Sequence, residues 1–168
     1  PERADDYFEQ ALVGTENEAE GNQKDTLVAY AMALLERGDL EAAQERASAS
    51  LVGTAEDLDA LRVLGEVAAK QRQWRDVIKI KRRLLAYESD NSAQSQHSLG
   101  IGEIFSRVYQ DHERALGWFC RAVEHAPLGQ AAVRRMVAEL SLAQPDEDRL
   151  AQINDVIGLA VSSRQEAL

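Results

Sequence analysis

The stretch TLVAYAMALLERGDLEAAQERASASL (26–51) overlays ALRVLGEVAAKQRQWRDVIKIKRRLL (60–85) at a constant offset of 34 residues. Leu27 falls on Leu61, Tyr30 on Leu64, Ala31 on Gly65, Leu34 on Ala68, Leu40 on Trp74, Ala43 on Val77 and Leu51 on Leu85. No other feature constrains the fold as much. Self-similarity at a fixed period means one supersecondary unit used repeatedly, each copy burying its apolar stripe against its neighbours. Within each copy, apolar residues recur at three- and four-residue spacing, which defines a helix face, and small residues let a second helix approach closely. Gly38-Asp39 divides the first copy, glycine supplying a left-handed cap and aspartate the next N-cap. The unit is therefore a pair of helices.

Composition agrees with an all-α chain. A length of 168 residues suits one domain, and 45% apolar with 29% charged residues is ordinary for a globular protein. Only 3 Pro, 10 Gly and 5% aromatics argue against a sandwich or barrel, which needs turn residues and β-formers. The spacing predicts helices near 2–12, 25–37, 40–51, 57–71, 73–87, 94–107, 111–125, 130–143 and 146–162. The polar, Gly-bearing VGTENEAEGNQK (13–24) reads as an enlarged loop, SDNSAQS (89–95) as a break, and Thr54 and Asp57 as caps. Trp118 and Phe119 are expected in the core.

Further residues extend the repeat and carry a resemblance. Leu64-Gly65 and Leu99-Gly100 share one element of a pattern; Ala4/Phe8/Ala11 and Ala115/Phe119/Ala122/Pro127 share another, A-x3-F-x2-A, the latter closing on proline. With the 34-residue offset, the chain resembles the tetratricopeptide repeat (TPR) family. The spacing from Gly100 to Ala115 is three residues longer than from Gly65 to Val77, which places the extra residues around SRVYQD. Residues 129–162 keep the helical periodicity with almost none of the signature. The resemblance implies a right-handed solenoid of antiparallel helix pairs, about nine helices in all, with repeats near 24–57, 58–91 and 93–127 and a degenerate pair at 129–162. Helix 2–12 is then the second half of a repeat. The chain begins at Pro1 rather than Met, so it is expected to be a piece of a longer protein.

Charge and chemistry narrow the function. The net charge of −10 disfavours nucleic acid, whose binding depends on basic groups displacing counterions. Residues 1–60 hold 15 Asp/Glu against 4 Lys/Arg, while the rest is nearly balanced. No apolar run reaches the ~20 residues of a membrane span, and the single Cys120 favours the cytoplasm. His97, His112 and His125 lie in different helices or turns without a metal-type pair, Cys120 follows Phe119 on a packing helix, and EAEGNQK is no phosphate loop. Asp5/Asp6 and Glu147/Asp148 sit at helix starts, where carboxylates complement the dipole. The expectation is a non-enzyme with no cofactor and no metal.

By resemblance, function sits on the groove lined by the first helix of each pair. The positions are Val28, Met32 and Leu35, then Arg62, Glu66 and Lys70, then His97 and Ile101. Repeats that clamp chaperone carboxylates carry Lys and Asn at the first two positions, and this chain does not. The apolar members either hold a partner's hydrophobic face or pack on neighbouring helices. Separately, Arg75, Lys79, Arg82 and Arg83 form a basic stripe on helix 73–87. The implied role is a protein-interaction scaffold that binds a partner helix or peptide. The alternatives are a self-associating structural domain, forming a homo-oligomer, and a regulatory domain attached to a catalytic part elsewhere.

Overall fold

A computed structural model describes residues 2–15, 20–52 and 57–166. Among them are nine α-helices and no strand: α1 (Glu2–Thr15), α2 (Glu20–Arg37), α3 (Leu40–Ser50), α4 (Leu58–Lys70), α5 (Trp74–Tyr87), α6 (Asn91–Ile104), α7 (His112–His125), α8 (Gln130–Ala143) and α9 (Glu147–Glu166). The all-α expectation holds. The enlarged loop expected at 13–24 is corrected on both sides, because α1 runs to Thr15 and α2 begins at Glu20. Glu20, Gln23 and Lys24 are good helix formers, and the helices run through Gly14 and Gly21 in spite of the cost of glycine. Residues 16–19 and the expected cap Thr54 lie outside the described residues.

Aspartate starts many of these helices. Asp39, Asp57, Asp90, Asp111 and Asp146 each accept a backbone N–H from the first turn of the helix that follows. The turns inside the helix pairs share a second device. Gly38, Arg72, Gln110 and Gln144 all take positive φ, at 85°, 57°, 54° and 45°. Gly38 and Arg72 are 34 residues apart, as are Gln110 and Gln144, so the backbone repeats where the side chains do not. The three extra residues between Gly100 and Ala115 become a π-helical segment, Phe105–Tyr109, that prolongs α6 before Gln110 turns the chain.

The fold divides into two compact units, Pro1–Arg83 and Leu84–Leu168, with the division inside α5. In the first, Tyr30, Ala31, Leu34 and Leu35 of α2 meet Ala43 and Ala47 of α3 and Val63 and Val67 of α4. The fully buried alanines bring α3 close to α2. Helix α1 docks on α2. The Phe8 ring stacks on Tyr30 at 4.8 Å, and Arg46 lies over the Tyr30 ring while pairing with Glu9 at 2.8 Å. Arg37 and the Tyr30 hydroxyl both donate to Asp5, and the Arg37 hydrogen bond holds the Asp5 carboxyl below its ordinary value.

In the second unit, Ala115, Leu116, Phe119, Ala122 and Val123 of α7 form a core with Ala132 and Met136 of α8 and Ile153 and Val156 of α9. The Phe119 ring passes over Gly102 of α6, where a Cβ would stand 2.5 Å from Cε1. Ser95 of α6 donates to the Ala122 carbonyl at 2.7 Å, which ties the same two helices. Cys120 is buried, and burial pushes its thiol up. Trp118 departs from the core expectation. One residue off the buried stripe, it is partly exposed, and Arg121 lies 5.2 Å above its ring.

Phe119 is only 1% exposed. Phe119→Ala should therefore cost about 3–5 kcal/mol in a urea unfolding series. A loss below about 1 kcal/mol would remove Phe119 from the core.

Candidate functional site

Helices α2 and α4 pack side by side and each turns one stripe outward. On α2 the exposed stripe is Asp25, Ala29, Met32 and Glu36; on α4 it is Asp59, Arg62, Glu66 and Lys70. Spacings of three and four residues put each set within an arc of roughly 60–80°. Of the positions anticipated for partner binding, Met32 is 48% exposed, and Arg62, Glu66 and Lys70 are exposed on α4. Arg62 is held by Asp59 at 2.6 Å.

Three anticipated positions are corrected. Val28 and Leu35 lie about 40–60° around α2 from Met32, enough to turn them inward, and Leu35 joins the core with Tyr30 and Val63. Ile101 of α6 is fully buried. These side chains pack rather than face a partner. His97 is half-buried, also on α6.

On α5, Arg75, Lys79 and Arg82 are exposed and Arg83 is half-buried, while Val77 turns into the interior. Lys79 and Arg83 border a cavity of about 320 Å³ with Gln44, Ser48 and Asp76, over an apolar floor that includes Val67 and Ile80. Gly65 lets α5 come close here, for a Cβ would stand 3.3 Å from Ile80 Cγ2.

Two features of the second unit escape sequence reasoning. Glu139 of α8 is buried at 5% exposure, where the Ser106 hydroxyl donates to Oε2 at 2.9 Å and His112 Nδ1 meets Oε1 at 2.6 Å. Ser106 stands on the π-helical segment, so the three-residue excess was the available signal. The trio fastens the π segment and α7 to α8. The other feature is a groove of about 690 Å³ between α8 and α9, lined by Leu128, Val133, Val137, Ile157 and Val161 with Arg134 and Arg164.

Among the described residues, no group of three or more His, Cys, Asp or Glu is placed to hold a metal ion, and no helix is long and apolar enough to cross a membrane. The solved crystal structure of MamA, a TPR-like protein, superposes with a TM-score of 0.61 at 14% identity, over 98% of this chain and 93% of that one. That likeness shows a TPR-like all-α solenoid fold. No protein-family model matches the sequence, and no curated protein matches it either.

The two kinds of apolar position should respond differently to charge. Met32→Glu, at an exposed site, should change unfolding free energy by less than about 0.5 kcal/mol. Ile101→Glu should cost about 3 kcal/mol or more, because the carboxylate has no water and no partner. Equal losses in a denaturant series would place both residues in one environment.

Proposed function

We propose that this chain is a non-catalytic protein-interaction module that holds a partner segment against the outward faces of α2 and α4. The observation that carries the reading is that Met32 and Glu36 of α2 are exposed, as are Arg62, Glu66 and Lys70 of the neighbouring α4. An apolar centre rimmed by charges of both signs is how docking surfaces combine contact area with orientation. The TPR-like fold supports it, since stacked helix pairs leave one face of each first helix free for recognition. The partner segment would lie as a helix or extended peptide, its apolar side chain on Met32 and its acidic and basic groups matched to Lys70, Arg62 and Glu66. Charge here sets approach and register, so binding weakens as salt rises.

The test starts from a partner captured with the 168-residue chain and mapped to its bound segment, whose affinity is then measured by calorimetry. Met32→Glu combined with Arg62→Glu and Lys70→Glu should weaken it at least about tenfold with an unchanged melting temperature. Arg107→Glu, an exposed charge on the π segment, should leave it as it was. Equal affinity for the triple variant would remove α2 and α4 from the binding surface.

A further inference from the structure

The groove between α8 and α9 is a second surface, independent of the first. Val133 and Val137 from α8 and Ile157 and Val161 from α9, each pair four residues apart, face it from two sides. Leu128, Val137 and Val161 are 57%, 56% and 52% exposed, so the groove offers apolar side chains open to solvent. A channel between two helices has the shape that a third helix fills, ridge into groove.

Its charges identify the occupant. Arg134 and Arg164 border the groove, and no Asp or Glu is among the described residues that line it. Arg134 donates to the neutral Gln130 amide at 3.3 Å, a contact that does not neutralise its charge. A symmetric pairing of two copies through this face would bring Arg134 and Arg164 against their own counterparts, a like-charge contact that disfavours closure. We infer that the α8–α9 groove docks an acidic amphipathic helix of another protein, apolar residues at i, i+3 or i+4, and i+7 seated on Val137 and Val161, and Asp or Glu at its edges meeting Arg134 and Arg164.

The probes are two labelled helical peptides with the same leucine face, one edged with glutamate and the other with lysine. Fluorescence anisotropy with the full chain should show the glutamate peptide bound at least about tenfold more tightly, the preference shrinking as salt rises. Arg134→Glu with Arg164→Glu should reverse the preference, and Val137→Asp with Val161→Asp should abolish binding of both peptides, all with the far-UV circular dichroism and melting of the native chain. Those exposed positions tolerate charge, so folding is retained. Failure of the glutamate peptide to bind, or a preference that ignores the arginine reversal, overturns the inference. Sedimentation of the chain alone also decides: self-association lost in Val137→Asp with Val161→Asp would show that a second copy, not a separate acidic helix, occupies the groove.

Discussion

Helices lie closest where one of them carries a small side chain or none, and this chain depends on that at its helix contacts. Gly102 gives the Phe119 ring its place between α6 and α7, and Gly65 does the same for Ile80 between α4 and α5. Ala43 and Ala47 of α3, and Ala115 and Ala122 of α7, are fully buried along the same kind of seam. Ser95 adds a hydrogen bond to the Ala122 carbonyl that only a close approach permits. Interiors are packed to crystal density, so one methylene at such a seam is felt throughout the pair.

That economy at the seams decides what is left for recognition. Each helix spends one stripe on its neighbours and turns another to solvent, and function is read from the second stripe. On α2 and α4 the outward stripes carry Met32 and charges of both signs. Between α8 and α9 the free surface is apolar, with arginine at its border. The two surfaces differ in chemistry, which suits two partners rather than one. The ionic contacts of Asp5 with Arg37 and Glu9 with Arg46 lie at the surface, where pairs add little stability, and orient α1 more than they hold it.

Helix pairs were legible because apolar spacing and buried alanines leave direct traces: Leu34, Ala43, Phe119 and Ala122 all fall where periodicity puts them. The left-handed turn was legible at Gly38, where glycine marks it, and hidden at Arg72, Gln110 and Gln144, where ordinary residues adopt it. Val28 and Leu35 were misplaced by less than one turn of phase, since a stripe several residues wide does not say where its edge meets solvent. The buried Glu139 carries no mark of its own in the sequence, where only the three-residue excess points to the segment that supplies Ser106. Its partners, Ser106 and His112, come from a π segment and a helix start whose register the sequence does not announce.

The seat of Phe119 on Gly102 is the central claim, and a double-mutant cycle tests it most directly. In the native background Gly102→Ala should destabilise the chain by about 1–3 kcal/mol, because its Cβ collides with the ring. With Phe119→Leu already present, the same change should be nearly neutral, or stabilising by up to about 1 kcal/mol, since alanine forms helix better than glycine. The account predicts a coupling above about 1 kcal/mol in urea unfolding, and changes additive to within about 0.3 kcal/mol would contradict it.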